Sequence, residues 1–215
     1  MPHTGVRGRR RTLIVGLGIV VPGVLVALGS WWWPLQQSAV TVPAKVCHGS
    51  LPADAVKSLM PERGAKFQER NAYNFATAGH SQDAMRDWGL GQCLLTGGGV
   101  TVEVEYRLLQ GGEYTRDDVE RDAHQSGSTP LTFGDATGYL DGPGTHLFVD
   151  CPGRAGGDEL LEISVVVGGK GTDVKDRTVR ASAAALAADT ARHAAQDIRH
   201  CAGAERLPGS APSMG

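Results

Sequence analysis

Charged residues are absent from residues 13–33, an apolar stretch dominated by Leu, Ile and Val. At ~1.5 Å of rise per residue this stretch makes a helix of about 31 Å, which matches the hydrocarbon core of a bilayer. Four arginines lie within residues 7–11, three tryptophans end the stretch, and the next basic residue is Lys45. The positive-inside rule and the preference of Trp for the headgroup layer predict a transmembrane helix over 13–33, with a cytoplasmic basic tail over 1–12.

A cleaved signal peptide is the alternative interpretation of the same stretch. Signal peptides have a shorter apolar core of ~7–15 residues, and cleavage here would follow Ala39 or Ala44. No cysteine lies near the end of the stretch, which argues against a lipoprotein anchor. We therefore expect an uncleaved signal anchor that crosses the cytoplasmic membrane once. Its partner over 13–33 is the lipid bilayer, its N-terminus stays inside, and its C-terminal domain is extracytoplasmic.

A basic patch is also missing from the sequence. The part that follows the arginine-rich start keeps 17 of the 21 basic residues against 23 acidic ones, a net charge of about −6. This balance disfavours a nucleic-acid partner, because such partners are bound mainly through their phosphates. We predict a juxtamembrane linker over 34–46, one extracytoplasmic domain over 47–203 and a disordered tail over 204–215.

Cysteines are few and widely spaced, and all four follow the apolar stretch: Cys47, Cys93, Cys151 and Cys201. This spacing lacks the close ligand pairs of zinc sites, so we predict no metal. An even number of cysteines in an oxidising compartment predicts two disulfides, for which three connectivities are open. We predict Cys47–Cys93 and Cys151–Cys201, because each pair joins a helix end to a strand end and the two loops stay uncrossed.

The clearest secondary-structure signal is a hairpin, with strands over 93–96 and 100–109 around Gly97-Gly98-Gly99. In its second strand, apolar residues at 100, 102, 104, 106 and 108 alternate with polar ones, as in an antiparallel strand with one solvated face. Further strands are predicted over 67–70, 131–133, 138–140, 146–151 and 159–167.

Three helices are predicted outside the membrane. They are a short helix over 51–60, a surface helix over 115–125 capped by Thr115, and a long helix over 174–201 capped by Asp173. The order of elements predicts an α+β fold, in which a mostly antiparallel sheet has helices packed on one face.

Catalytic motifs are absent from the sequence. No stretch reads Gly-x-Ser-x-Gly, the pattern of a serine nucleophile elbow, and residues 168–172 lack the spacing of a phosphate loop. His193 and His200 lie seven residues apart on the polar side of the last helix, and we interpret them and His48 as surface histidines. We assign no catalytic residue, no cofactor and no metal ligand.

Two groups of polar residues are candidates for chemistry. His124, His146 and Asp150 would need a serine in space, which nothing in the sequence selects. Glu103 and Glu105 share one strand face about 7 Å apart, and paired carboxylates can act on glycans. Because the same face continues into Arg107, we interpret the pair as the solvated side of a sheet.

Several features of the chain occur together in one group of proteins. They are the arginine-rich start, a single span, Cys47 before a Leu-Pro helix over 51–61, a Trp88-Gly89 segment that runs to Cys93, and an Ala-rich C-terminal helix that ends at Cys201. In these features residues 13–203 resemble single-span exported envelope proteins of streptomycete-type actinomycetes, which are themselves uncharacterised. The resemblance implies an envelope protein and supplies no catalytic residues.

The sequence favours a membrane-anchored extracytoplasmic module for binding, sensing or envelope assembly, whose partner is an envelope protein or a cell-wall ligand. One alternative is an exported hydrolase that acts on cell-wall material, and another is a structural subunit of a membrane complex. An enzyme would show a deep pocket with convergent polar groups, whereas a binding module would show a groove or an exposed apolar patch.

Overall fold

The computed structural model describes residues 38–75, 89–109, 112, 114–152 and 159–215. The predicted transmembrane helix over 13–33 and the basic tail over 1–12 lie outside these residues, as does Trp88. In the described part of the chain, no helix has the length and apolarity needed to cross a membrane. The described residues between Ala39 and Gly215 form one compact unit.

The unit begins with short elements that precede the main sheet. They are β1 (Ser38–Ala39), β2 (Lys45–Val46), β3 (Leu51–Pro52), the helix α1 (Asp54–Leu59) and β4 (Arg63–Gly64). The helix predicted over 51–60 is thus present but shorter, because its first two residues pair as β3 with β2.

The described residues place eight strands in the main sheet, and most neighbouring strands are consecutive in the chain and form hairpins. The strands are β5 (Gln68–Tyr73), β6 (Gly91–Gly97), β7 (Val100–Leu109), β8 (Ser128–Phe133), β9 (Ala136–Asp141), β10 (Gly144–Asp150), β11 (Leu160–Gly169) and β12 (Ser213–Met214). Their spatial order is β12-β8-β9-β10-β11-β7-β6-β5, and all neighbours are antiparallel. The predicted antiparallel sheet and all the predicted strands are confirmed.

The hairpin of β6 and β7 shows why the sequence pattern was informative. Gly98 and Gly99 form its two-residue turn with φ of 62° and 93°, values that favour glycine and match the twist of the flanking strands. Along β7, Val102 and Val104 are fully buried, whereas Glu103 and Glu105 on the other face are partly exposed. The predicted alternation is confirmed, and Leu108 at its end also packs against the main core.

The long C-terminal helix, α3, spans Arg177–Arg192 and continues as π-helix over His193–Ile198. The predicted start at 174 with Asp173 as cap is wrong. The carboxylate of Asp176 caps the helix instead and accepts the backbone N–H groups of Thr178 and Val179 at 2.7 and 3.2 Å. Asp173 belongs to the preceding turn, where its carboxylate accepts the N–H of Lys175 at 2.9 Å.

The helices cover both faces of the sheet. On the inner face, α3 contacts β7, β10, β11 and α1 over the main core. The helix α2 (Arg116–Ala123) contacts β8 and β9. Its buried Val119 packs with Phe148 and Leu160, which alternate along their strands with the core residues Leu147 and Leu161. Helix α2 therefore lies on the outer face; the α+β class is confirmed, but the prediction of helices on one face only is wrong.

The segment predicted as a linker over 34–46 is folded from Ala39 onward. Val46 is fully buried, and Val40 and Val42 pack against the main core. The backbone N–H of Val40 also donates to the carbonyl of Glu62 at 2.9 Å. The side chains of Val40, Val42 and Val46 attach this segment to the domain.

The tail over 204–215 is ordered, contrary to the prediction of disorder. Residues Ala204–Arg206 form a 3₁₀ turn, and β12 pairs with β8 through Ser213 opposite Thr132. The composition of this segment predicted disorder because it has few apolar side chains. Its backbone groups can nevertheless pair with the exposed edge of the sheet.

Both predicted disulfides are present. Cys47 and Cys93 are bonded with Cα atoms 5.6 Å apart, and Cys151 and Cys201 with Cα atoms 4.6 Å apart. The first joins the segment before α1 to β6, and the second joins the end of β10 to the residues after the π-helix. All four cysteines are buried, and none is free.

Candidate functional site

An ionic cluster lies on the outer face of the sheet, where β7 and β11 pair. Arg107 and Glu162 are directly opposite in the register, and the guanidinium Nε donates to Glu162 Oε2 at 2.5 Å. On the other side of Glu162, His146 Nδ1 lies 3.3 Å from Oε1, and His146 Nε2 lies 3.4 Å from Asp141 Oδ1. The side chain of Glu162 is only 10 % exposed, so this carboxylate is the centre of the cluster.

The cluster determines the ionisation of Glu162. Burial alone would raise the pKa of the carboxyl, but hydrogen bonds from His146 and Arg107 and the charge of Arg107 outweigh it and lower the pKa below its ordinary value. Glu162 is therefore held as a carboxylate whose oxygens both have partners.

The two carboxylates singled out in the sequence lie beside this cluster on β7. Glu103 accepts a hydrogen bond from the amide of Gln92. Burial, opposed by Arg107 and reinforced by Glu103 and Glu162, raises the pKa of Glu105. Glu105 is opposite Ser164 in the register and so diagonal to Glu162, which puts their Cα atoms about 7–8 Å apart.

An aromatic group adjoins the cluster beneath α2. The ring of Phe148 lies 5.3 Å from that of Tyr114 and 6.1 Å from that of Tyr139, and Tyr139 stacks on His146 at 5.1 Å. Phe148 is buried, whereas the two tyrosines are half-buried. Their hydroxyl oxygens are 3.4 Å apart, and Tyr114 donates to Asp122 at 2.5 Å. Burial and the hydrogen bond to Asp122 raise the pKa of Tyr114, so its hydroxyl stays a donor.

The outer cleft is the space between this aromatic group and the ionic cluster. It has a volume of about 280 Å³ and is lined by Arg107, Leu109, Tyr114, Asp122, Tyr139, Phe148 and Glu162. It combines aromatic surface with side chains of both charge signs, as small-ligand sites commonly do.

Helix α2 holds one wall of the outer cleft in place. Thr115 and Asp118 form a capping box, in which the Thr115 hydroxyl accepts from the N–H of Asp118 and the carboxylate of Asp118 accepts from the N–H of Thr115 at 2.8 Å. Hydrogen bonds from Thr115 lower the pKa of Asp118 to about 2. The predicted cap is confirmed, and it fixes the direction in which Tyr114, one residue earlier, enters the cleft.

A larger cavity of about 760 Å³ lies at the start of α2 and is lined in part by Arg116, Asp150 and Glu159. Its main cation is already engaged, because Arg116 Nε donates to Asp150 at 2.9 Å and a second guanidinium nitrogen also contacts that carboxylate. Pro152 and Glu159, two of its lining residues, flank residues 153–158, which the structure does not describe. We take the smaller outer cleft as the candidate site, because two tyrosines, Phe148 and side chains of both charge signs line it together.

The predicted surface histidines are placed differently from one another. His48 and His200 are exposed as predicted, and His200 Nδ1 lies 2.7 Å from the carbonyl oxygen of Gln196, one helical turn earlier. His124, which was not among them, is also exposed and contacts the carbonyl of Glu120 at 2.7 Å. His193, in contrast, is 11 % exposed at the side chain; its Nε2 lies 2.7 Å from the carbonyl oxygen of Phe75 and its Nδ1 lies 2.9 Å from Asp197. The prediction of a surface role is thus wrong for His193, which contacts the chain before β6.

The structure does not bring His124, His146 and Asp150 together as a serine-hydrolase site. Asp150 pairs with Arg116, and His146 pairs with Glu162 and Asp141. Ser164 is opposite His146 in the register, yet the described residues show no hydrogen bond between the two. Nor do they contain a group of three or more side chains suited to hold a metal ion.

Sequence reasoning missed the outer cleft although one signal was present. Glu162 interrupts an apolar strand between Leu161 and Ile163, and a charged residue at such a place requires a partner. Its partners come from other strands, so only the sheet register identifies them. None of the protein-family models, curated proteins or solved structures compared with the chain matches it.

Proposed function

We propose that the chain is a single-span envelope protein whose extracytoplasmic domain binds its partner or ligand through the outer cleft. The single observation that carries the proposal is the cleft itself, in which half-buried tyrosines and fixed charges face one space of about 280 Å³. A groove of this kind without a nucleophile paired to a base suits binding better than covalent catalysis.

Two further features support an extracytoplasmic position. The two disulfides suit an oxidising compartment, and the sequence has an apolar stretch over 13–33 preceded by arginines. The resemblance to exported envelope proteins of actinomycetes agrees with both. In intact protoplasts, added protease should remove the domain from the membrane; a protected domain would contradict the orientation.

Binding through the cleft is tested by crosslinking in membranes. The full chain and its Tyr139→Ala variant are crosslinked in place and purified under denaturing conditions, with Val166→Ala as control. Val166 lies on the same strand as Glu162 and is 37 % exposed, but it does not line the cleft. The proposal is supported if the yield of adducts is similar for wild type and Val166→Ala and lower for Tyr139→Ala. An adduct yield that is the same in all three proteins would contradict it.

A second candidate function, hydrolysis of cell-wall glycans, is favoured by Glu105 and Glu162. Their environments move the two pKa values in opposite directions, raised for Glu105 and lowered for Glu162, which is the division expected of a general acid and a base. Release of reducing ends from cell-wall material, lost in Glu105→Gln, would establish this activity; no release by wild type would dismiss it.

A further inference from the structure

We propose that the outer cleft binds one ring of a saccharide. The inference rests on the binding function proposed above and names the class of ligand. It is argued from the aromatic surface of the cleft, from the signs of the charges around it and from its size.

The aromatic surface suits the apolar face of a sugar ring. The hydroxyls of Tyr114 and Tyr139 contact each other, and both rings pack against the buried ring of Phe148. Tyr139 is also stacked on His146, and Tyr114 is tied to Asp122. The rings are therefore held before any ligand arrives, so that binding would order few side chains. Half-buried aromatic rings of this kind offer apolar contact with a polar group at the edge.

The charges around the cleft argue against the other small ligands that aromatic rings attract. An ammonium ligand would suit the rings and the two carboxylates, Asp122 and Glu162, but would meet the guanidinium of Arg107. A phosphate or carboxylate ligand would suit Arg107 but would meet the same two carboxylates. A neutral ring with hydroxyl groups suits all three, because hydroxyls donate to carboxylates and accept from a guanidinium.

The size of the cleft selects a short ligand. About 280 Å³ lies just below the ~300–1,000 Å³ found for small-molecule sites, so the cleft holds one ring and not an extended chain. Glu162 and Arg107 line the cleft from β11 and β7, and Asp122 lines it from α2. Further sugar units, if present, would leave the cleft toward solvent.

The experiment uses the full chain in detergent micelles with ¹³C-labelled tyrosine, of which there are four. Tyr114 and Tyr139 report on the cleft, and Tyr106, whose ring is buried in the main core, is the internal reference. The probes are glucose, galactose, mannose, N-acetylglucosamine and the trimer of N-acetylglucosamine. Inorganic phosphate and tetramethylammonium are added separately as the anionic and cationic alternatives.

We expect at least one sugar to shift the ring resonances of Tyr114 and Tyr139 in a saturable manner and to leave Tyr106 unchanged. Tyr139→Ala should lower the affinity for that sugar about tenfold or more. Tyr139→Phe, which keeps the ring, should lower it by no more than about threefold. Val166→Ala should bind as wild type. An unshifted Tyr106 resonance in Tyr139→Ala excludes unfolding as the cause.

The outcomes separate the two proposals. If phosphate or tetramethylammonium shifts the two tyrosines and no sugar does, the saccharide inference is overturned while a binding cleft remains. If no probe shifts them and crosslinking in membranes is also independent of Tyr139, the cleft is not a binding site and both proposals fail. Equal sugar affinity in Tyr139→Ala and wild type would overturn the saccharide inference directly.

Discussion

Arg107 on β7 and Glu162 on β11 face each other and form an ion pair in which only Glu162 is buried. The carboxylate of Glu162 is 10 % exposed, whereas the side chain of Arg107 is 54 % exposed. The buried partner thus depends on the exposed one for its charge compensation. The same two residues line the outer cleft, so the pair contributes to both stability and the candidate site.

Replacing Glu162 with Gln should destabilise the domain by about 1–3 kcal/mol at pH 7. The amide cannot accept from both Arg107 and His146 as the carboxylate does, but the exposed guanidinium of Arg107 can be hydrated, which keeps the loss below that of a fully buried pair. Chemical unfolding of the disulfide-bonded chain measures it. A loss under 0.5 kcal/mol (about the error of such measurements) would contradict the importance of the cluster.

The acid dependence of stability should also change in Glu162→Gln. The folded pKa of Glu162 is lowered, so its contribution is present above the unfolded value and is lost as pH falls through the folded pKa. Glu105→Gln is the matched control with the opposite sign. The folded pKa of Glu105 is raised, so its ionisation destabilises the fold as pH rises above the unfolded value. The free energy of unfolding is measured from pH 7 to pH 3. Compared with wild type, it should fall less steeply with acid in Glu162→Gln and more steeply in Glu105→Gln.

The carbonyl of Phe75 has two side-chain donors from distant parts of the chain. The hydroxyl of Ser50 donates to it at 2.6 Å, and His193 Nε2 lies 2.7 Å from it. We expect Ser50→Ala and His193→Phe each to lower the free energy of unfolding by about 0.5–1.5 kcal/mol. Phenylalanine is chosen at position 193 because it keeps a ring in contact with Phe75. The double variant should lose more than the sum, because the buried carbonyl then has neither donor. Additive losses would contradict a shared role.

The last eight residues should stabilise the domain although their composition suggested disorder. They pair β12 with β8, and the carbonyl of Pro208 accepts from Arg192 at 2.6 Å. Deleting residues 208–215 should therefore lower the unfolding free energy by about 1–2 kcal/mol. A truncated chain with unchanged stability, and unchanged hydrogen exchange in β8, would contradict the pairing.

The disulfides predict a specific thiol pattern. Cys201→Ser should release one free thiol, at Cys151, and leave Cys47 bonded to Cys93. The lost crosslink spans 50 residues and should cost on the order of 4 kcal/mol if chain entropy dominates. Peptide mapping without reduction checks the pairing, and a Cys47–Cys151 peptide in either protein would contradict it.

The sequence indicated those features that depend on neighbouring residues. The alternation along β7, the Gly-Gly turn and the cap at Thr115 are local, and each was predicted correctly. The start of α3 was not, because Asp173 and Asp176 are both acceptable caps and the choice depends on the turn that precedes the helix. The pairing of the cysteines was predicted correctly because a disulfide joins element ends whose order along the chain is visible.

The outer cleft could not be predicted in the same way. Tyr114 precedes α2, Tyr139 is on β9, Phe148 on β10 and Glu162 on β11, and only the sheet register brings them together. The polar positions of β7 were interpreted as solvated, and Thr101, Glu103, Glu105 and Arg107 are all at least partly exposed. Leu109, at the end of the same face, instead belongs to the second apolar cluster. The second apolar cluster also shows which side of the sheet α2 covers. The sequence of α2 did not show this, because the amphipathic pattern of the helix is short and its apolar face is narrow.

Hydrogen exchange measured by mass spectrometry tests the proposal that the outer cleft is a binding site most directly. The full chain is exchanged alone and with an isolated cell-envelope fraction, and peptides are followed along the described domain. The account predicts slower exchange in peptides that cover 114–123 and 136–150, which contribute most of the outer cleft, and no change in α3. Slower exchange confined to other segments, or none in the presence of material that crosslinks to the chain, would contradict it.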